Sequence, residues 1–332
     1  MTIIEQMRGN YDRALQGLQL TLTQGEPPPL IHYLMANIFM AKGDREGYKR
    51  EMNEGKGLVL GMKQENVSFF PIGKEATKFA EDRNLMVLFY LNSWYDKAIQ
   101  RSDAVIKLSG KDLFAWYYKG LSKMAQKKSK EAISSFQQVV LVDPNLISAN
   151  MGLGQAYIQV NDFEKALKSF KKVVEINSSY SPAYMALGDI YFQTKDEGKA
   201  VESYRKAIEL SPKSPEAYQR LALILADQSK SYDEAFKMAT KSVELAPKNP
   251  FSLDAIGWVS VQRGDIKGGL EKLKEASTLQ PRDPVILYHL GIGHYKNNSP
   301  NEAKNALQAA LNISKNFRGA DQAAELLKKL SK

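Results

Sequence analysis

The sequence repeats with a period of about 34 residues through its C-terminal two-thirds. Six segments, starting at Leu113, Ile147, Ser181, Pro215, Pro250 and Pro284, carry similar residues in matching slots. The eighth slot always holds a small residue, in order Gly120, Gly154, Gly188, Ala222, Gly257 and Gly291. So does the twentieth, after one single-residue slip, at Ala132, Ala166, Ala200, Ala235, Gly269 and Ala303. A period of this length predicts stacked supersecondary units, because one such unit cannot bury its apolar face alone.

Each segment has the pattern of two helices joined by a turn. Small residues at slots eight and twenty allow the two helices to cross closely, and aromatic residues such as Trp116 and Phe136 fill the remaining space. Turn-forming residues separate the helices at Val160–Asp162 and at Arg263–Asp265. A proline such as Pro212 closes most segments, because proline cannot continue a helix. The pattern therefore predicts a two-helix repeat.

One segment, Ser181–Ser214, carries the residues of a known repeat consensus. They are Tyr184, Leu187, Gly188, Tyr191, Ala200, Tyr204, Ala207 and Pro212. At these positions the sequence resembles tetratricopeptide (TPR) repeats, and six units over residues 113–317 follow the same pattern. The resemblance implies an all-α fold, a right-handed α-solenoid of about eight two-helix repeats, whose members usually present a surface to partners.

The two ends of the chain depart from the regular pattern. Residues 1–112 are expected to form degenerate repeats with an irregular insertion near 53–78. Because Tyr11–Leu15 has the signature of a second helix, the chain is expected to be a piece of a longer protein, with repeats, a membrane anchor or a signal segment upstream. Residues 318–332 are expected to form an amphipathic helix that caps the last repeat.

Composition narrows the class of protein without fixing its location. There is no cysteine, which excludes disulfides and thiolate metal sites. The net charge is +9, but the lysines alternate with glutamates along the second helices, which indicates a solvated face supported by local ion pairs. A basic partner-binding stripe is the alternative, and specific nucleic-acid recognition is disfavoured because no recognised module accompanies the charge. The absence of cysteine is compatible with both the cytosol and an oxidising compartment.

The first helices are expected to line a concave groove, as the resemblance implies. The predicted partner-binding residues in this groove are Phe114, Tyr117, Leu121, Met124, Met151, Gln155, Ile158, Met185, Asp189, Phe192, Gln219, Asp254, Trp258, Tyr288 and Tyr295. A wall this rich in methionine and aromatic residues favours an extended peptide or an amphipathic helix with apolar anchors. Aromatic residues at helical spacing can also belong to the core. We expect truncation of Trp258 or Tyr117 to weaken partner binding without unfolding the chain.

No catalytic residue, cofactor-binding residue or metal ligand is predicted. His289 and His294 are five residues apart and therefore do not share a helix face for a metal ion. The glycine pairs around Gly152 and Gly291 lie within predicted helices with no preceding strand, so they do not form a dinucleotide-binding loop. The sequence predicts a non-enzymatic protein.

A narrower resemblance concerns the C-terminal hundred residues. The run Asp254–Trp258, the Gly264-Asp265 turn and the run Tyr288–Gly291 are similar to the tail of bacterial TPR proteins linked to exopolysaccharide assembly and export. This resemblance implies a scaffold for polysaccharide assembly or secretion. It also implies a periplasmic or membrane-associated location, with the cytoplasm as the alternative. Two alternatives stay open: a scaffold that assembles with copies of itself into a homo-oligomer, and an accessory module of a longer enzyme.

Overall fold

The computed structural model describes residues 74–227 and 231–331, together with scattered positions between residues 15 and 51. The predicted start within a repeat and the predicted insertion, as far as residue 73, lie outside the described residues. Residues 74–78, the last five of the range 53–78, lie in a helix that begins at Lys74. The chain divides into two units, Met1–Ser178 (unit 1) and Ser179–Lys332 (unit 2).

Within the described ranges the secondary structure is entirely helical. In chain order, the helices are α1 (Lys74–Leu91), α2 (Tyr95–Leu108), α3 (Leu113–Ala125), α4 (Ser129–Val142), α5 (Ile147–Gln159), α6 (Phe163–Ile176), α7 (Ser181–Gln193), α8 (Glu197–Leu210), α9 (Pro215–Asp227), α10 (Tyr232–Leu245), α11 (Pro250–Arg263), α12 (Ile266–Leu279), α13 (Pro284–Lys296), α14 (Pro300–Ile313) and α15 (Ala320–Leu330). Each odd-numbered helix from α1 to α13 packs against the even-numbered helix that follows it. The predicted fold class, an all-α solenoid of two-helix repeats, is confirmed.

Over residues 74–178, the continuously described part of unit 1, there are three helix pairs, α1–α2, α3–α4 and α5–α6. Its first helices pack on one another in order, α1 on α3 and α3 on α5. One buried cluster joins the first two pairs, with Phe79, Met86 and Val105 from α1–α2 and Ala115 from α3. A second cluster joins the next two pairs through Val139 and Ala149. The apolar residues that a single pair would expose are therefore buried against its neighbour.

Unit 2 contains four helix pairs, α7 to α14, and the terminal helix α15. A continuous buried cluster extends from Tyr204 in α8 through Trp258 in α11 to Ala323 in α15. The first helices α9, α11 and α13 again pack on one another in order. The apolar residues of α15 lie against this cluster; these residues are Ala323, Leu326, Leu327 and Leu330.

The turns between paired helices share one backbone feature. A single residue with positive φ closes the first helix of most pairs; these residues are Ser93, Lys127, Asn161, Lys195, Gly264 and Asn298. The next residue but one begins the second helix, and an aspartate such as Asp162 or Asp265 accepts a hydrogen bond from the backbone N–H three residues later. Turn and cap together fix where each second helix starts.

Exposed ion pairs recur on the second helices at regular spacing. Lysine and glutamate three residues apart pair at Lys172–Glu175, Lys206–Glu209, Lys241–Glu244 and Lys272–Glu275, with N–O distances from 2.7 to 3.4 Å. Such surface pairs contribute little to stability, so their main effect is to keep these helices well solvated. Every helix in the described part of the chain is too short or too polar to cross a bilayer.

The paired helices approach closely because glycine occupies the eighth slot. A Cβ atom at Gly188 in α7 would lie 2.5 Å from Cε1 of Tyr204 in α8. The Tyr204 ring cannot move away easily, because it is 1 % exposed and its hydroxyl donates a 2.8 Å hydrogen bond to Asp189. Glycine at this slot is therefore a packing requirement.

We expect Gly188→Ala to lower the free energy of unfolding by about 1–3 kcal/mol, because the added methyl group overpacks the contact with Tyr204. The matched control is Gly198→Ala in α8, where an added Cβ meets nothing within 4 Å. Chemical denaturation followed by far-UV circular dichroism measures both variants. Equal stabilities for the two variants would contradict the packing role of Gly188.

Candidate partner-binding surface

In unit 1 the first helices α3 and α5 present an apolar wall. The predicted groove residues of these helices, Phe114, Tyr117, Leu121, Met124, Met151 and Ile158, are partly exposed, and Gln155 is exposed. They share one face because their spacing follows the helical period. We call this set, with Gln155, the unit 1 wall.

The ring of Phe114 is held by a charged neighbour. The guanidinium of Arg83 in α1 lies 4.3 Å from the centre of the Phe114 ring, and its Nε lies 3.4 Å from Oδ2 of Asp112. Asp112 also accepts a 2.7 Å hydrogen bond from the backbone N–H of Ala115 and so caps α3. Phe114 is thus held by the guanidinium of Arg83 in α1, which pairs with Asp112 at the start of α3.

Tyr117 packs against two other aromatic rings. Its ring centre lies 5.7 Å from that of Tyr118, in an edge-on arrangement, and 5.8 Å from that of Phe136. Separations of this size are favourable for aromatic pairs. The ring therefore has a defined orientation while part of its surface stays exposed.

In unit 2 the predicted groove residues fall into two groups. Met185, Asp189 and Phe192 in α7 and Gln219 in α9 are partly exposed, and Tyr295 in α13 is exposed. Asp254, Trp258 and Tyr288 are buried, which differs from the open wall that the sequence predicts for them. Inside unit 2, Trp258 packs against Tyr288, and Asp254 pairs with His289, which also stacks on Trp258.

Their burial has an identifiable cause. His289 Nδ1 donates to the Asp254 carboxylate at 2.8 Å, which satisfies an otherwise costly buried charge. The Trp258 ring stacks on the His289 ring with centres 4.2 Å apart, and the Tyr288 ring lies 6.0 Å from Trp258. The segment between α14 and α15 then covers Tyr288, because Phe317 lies 6.0 Å from it.

A cavity of about 840 Å³ lies beside this cluster. Three of the predicted groove residues, Trp258, Tyr288 and Tyr295, line it from the first helices α11 and α13, and α15 forms another side. Its volume falls in the range of roughly 300–1,000 Å³ that is usual for ligand pockets. The buried aromatic residues therefore contribute to one wall of an open cavity, although little of their surface is free.

Two residues outside the predicted site complete the cavity wall. Asp227, at the end of α9, accepts a 3.1 Å hydrogen bond from Trp258 Nε1. It also forms an ion pair with Arg318, whose Nη2 lies 2.6 Å from its carboxylate. Arg318 belongs to the six residues 314–319 that connect α14 to α15, whereas four residues, 143–146, connect α4 to α5. That extra length is the only sequence signal that could have identified Arg318.

The hydroxyl of Tyr288 also points to the C-terminal helix. It donates a hydrogen bond to Gln322 Oε1 of α15. Burial, and secondarily the Asp227 carboxylate, raise the pKa of Tyr288 to about 12. The phenol therefore stays neutral at physiological pH and acts as a hydrogen-bond donor.

Histidine and carboxylate chemistry in the described residues gives no metal site. No group of three or more histidine, aspartate or glutamate side chains is arranged to hold a metal ion there. His294 is buried with no hydrogen-bond partner for Nδ1, and burial lowers its pKa. A neutral, packed imidazole fits the packing slot that His294 occupies in the repeat.

Comparison with known families and structures agrees with this architecture. Models described as TPR repeats match residues 154–195 and 188–229, and models described as tetratricopeptide repeats match residues 114–145 and 215–249. Comparison with curated proteins gives no match. The fold thus defines a helical-repeat protein of the solenoid class. Its repeats are of the TPR type.

Two solved structures share the fold at low sequence identity. A tetratricopeptide repeat protein from Parabacteroides merdae is 16% identical, with a TM-score of 0.64, and the match covers 77% of this chain and 100% of that one. A chain of the APC/C hetero-tetramer Cut9–Hcn1 is 13% identical, with a TM-score of 0.62, and the match covers 99% of this chain and 74% of that one. At these identities the likeness concerns the fold alone.

We expect Trp258→Ala to lower the free energy of unfolding by about 3–5 kcal/mol, because it empties a buried ring site and leaves Asp227 without its indole donor. This replaces the expectation that the Trp258 truncation leaves the fold intact. The matched control is Trp94→Ala in unit 1, whose ring is 41% exposed. Denaturant unfolding followed by circular dichroism checks the difference, and similar losses in both variants would contradict it.

Proposed function

We propose that this protein is a non-enzymatic scaffold that binds a peptide or an amphipathic helix of a partner protein along its first helices. TPR-type repeats generally serve as protein-interaction surfaces, and the chain has two stretches of first helices that carry apolar residues with exposed area. The observation that carries the proposal is the unit 1 wall, in which large apolar side chains are held in place and yet remain partly exposed.

The chemistry of this wall suits an apolar segment with regularly spaced anchors. Tyr117 offers a rigid aromatic face, and Met151 on the next first helix offers a flexible, polarisable one. A partner helix that places apolar residues at positions i, i+3 or i+4, and i+7 could contact successive first helices with one face. Gln155, exposed between Met151 and Ile158, supplies a polar group for hydrogen bonding.

Two acidic residues of unit 2, Asp189 and Asp254, have structural partners, which supports a non-enzymatic role. Asp189 accepts from Tyr204 and lies 3.4 Å from Arg220 Nε, and Asp254 accepts from His289. Each of these acids is balanced by a neighbouring donor, so none is poised as an isolated general base. The same pairing supports a surface for recognition in preference to a reactive site.

Self-assembly into a homo-oligomer is the second candidate, and one observation favours it. Large apolar residues are exposed at the ends of second helices, with Leu141 76% exposed and Leu108 and Leu279 also exposed. Exposed apolar residues of this kind can mark contacts with other protein surfaces. Light scattering across a dilution series separates a stable oligomer from a monomeric scaffold.

A role in bacterial polysaccharide assembly or secretion is the finer form of the proposal. It rests on the resemblance of the run Asp254–Trp258 and of the run Tyr288–Gly291 to the tail of proteins linked to that process. In such a role the scaffold would position components of a synthesis or export system. The accessory module of a longer enzyme remains the other form.

The test uses peptides selected for binding to the full chain from a displayed random library. We expect the double variant Tyr117→Ala, Met151→Ala to bind a selected peptide with about 2 kcal/mol less free energy, or about thirtyfold more weakly, because both anchors of the wall are lost. Isothermal titration calorimetry measures the affinity, and circular dichroism verifies that the variant is folded.

Leu141→Ala is the matched control, because it removes an exposed apolar residue from a second helix. It should leave the affinity unchanged. Equal binding by the wild type and the double variant would contradict the role of the unit 1 wall. An equal loss in the control would place the contact on the second helices.

A further inference from the structure

The connector between α14 and α15 places an arginine in a built recognition site within unit 2. The guanidinium of Arg318 lies 4.0 Å from the centre of the Phe192 ring in α7, and its Nη2 lies 2.6 Å from Asp227 Oδ2 at the end of α9. A planar cation that stacks on a ring and pairs with a carboxylate uses both features that distinguish arginine from lysine. We call Phe192 and Asp227 the guanidinium site.

The carboxylate of this site is oriented independently of Arg318. Asp227 Oδ1 accepts the 3.1 Å hydrogen bond from Trp258 Nε1, and the Trp258 ring is itself stacked on the buried His289. One oxygen is therefore fixed by the core while the other faces the guanidinium. Because Asp227 is held by a core residue, the site would keep its geometry if Arg318 left it.

An aromatic residue, Phe317, precedes Arg318 in the connector. Phe317 lies 6.0 Å from the Tyr288 ring, and Gly319, which follows Arg318, has φ +93 and packs directly on that ring. A Cβ at this position would lie 2.3 Å from Tyr288 Cε1, so only glycine permits both the turn and the contact. The connector thus presents an aromatic residue and an arginine in sequence to the cavity wall.

The hold on Arg318 is weak compared with that on a core residue. Its side chain is 43% exposed, and it lies on a connector that is two residues longer than the connector at 143–146. Exposed ion pairs are screened by solvent and contribute little to stability. Arg318 can therefore leave the guanidinium site without unfolding the helices that form it.

We propose that unit 2 binds a basic segment of a partner protein in which an arginine is next to an aromatic residue. In the free protein, Phe317 and Arg318 of the chain itself occupy the site that this segment would take. This inference rests on the proposed function and specifies the partner for unit 2. The cavity beside the site provides room for the residues that flank the arginine. Four carboxylates line that cavity, Glu197, Asp227, Asp321 and Glu325, against two lysines, Lys296 and Lys329. Once Arg318 has left, the acidic groups are in excess, which suits a basic segment.

The experiment uses the full chain and a fluorescein-labelled synthetic peptide that copies residues 312–321. We expect Arg318→Ala to bind this peptide at least about tenfold more tightly than the wild type does, because an internal occupant that fills the site about nine-tenths of the time lowers apparent affinity by that factor. Fluorescence anisotropy measures the affinity. Arg318→Gln gives a second variant with the same expected gain.

Two controls assign the gain to the guanidinium site. Adding Asp227→Asn to Arg318→Ala should abolish the gain, since the amide keeps a hydrogen-bond acceptor for Trp258 and removes the charge. Arg263→Ala should bind as the wild type does. Arg263 lies 4.5 Å from the Phe236 ring and 2.9 Å from Asp233, which is the same kind of contact away from the cavity.

A peptide with citrulline in place of the arginine should bind Arg318→Ala no better than it binds the wild type. The proposal is overturned if folded Arg318→Ala gains no affinity, or if the gain survives Asp227→Asn. It is also overturned if Arg318→Ala forms a dimer on size-exclusion chromatography with light scattering, because the occupant would then be a second copy. The test of the proposed function uses residues of unit 1, so failure here is distinguishable from failure there.

Discussion

The close contact between slot eight of a first helix and slot twenty-four of its second helix determines the rest of this structure. The rings of Phe136, Phe170 and Tyr204 lie directly over Gly120, Gly154 and Gly188, and Leu273 and Leu307 lie over Gly257 and Gly291. Where the eighth slot is Ala222, the residue that corresponds to those rings is Ala239, and both are fully buried. Size is therefore matched across the contact, as interiors packed at crystal density require.

This matching explains why the fold was predictable from the sequence and part of the site was not. Slots that repeat carry the same packing task in each unit, so Gly188 and Tyr204 could be assigned from the pattern alone. The connector 314–319 occurs only once, so no repeated pattern in the sequence shows where its residues lie. Its residues Phe317 and Arg318 therefore gave no signal beyond the connector's length, although they decide what lies over the first helices at the end of unit 2.

The same slot can face solvent in one repeat and be covered in another. Tyr117 and Tyr288 both occupy slot five, and Leu121 and Trp258 both occupy slot nine. Tyr117 and Leu121 keep exposed surface, whereas Tyr288 and Trp258 are buried by their neighbours in unit 2. Local periodicity assigns a residue to a helix face, but what covers that face depends on residues far away in the sequence. This is why Asp254, Trp258 and Tyr288 differ from the prediction.

A short connector covers the first helices of the final repeats in unit 2, and this has two physical consequences. An exposed cluster of Trp258, Tyr288 and Ile292 would be a large apolar patch at the end of the repeats, and such patches favour association. A connector held by an exposed ion pair and a ring contact shields the cluster while forming few contacts of its own. A ligand that makes the same two contacts and also fills the adjacent cavity would gain more contacts than the connector loses. In the proposed scheme, the connector protects an apolar surface until such a ligand displaces it.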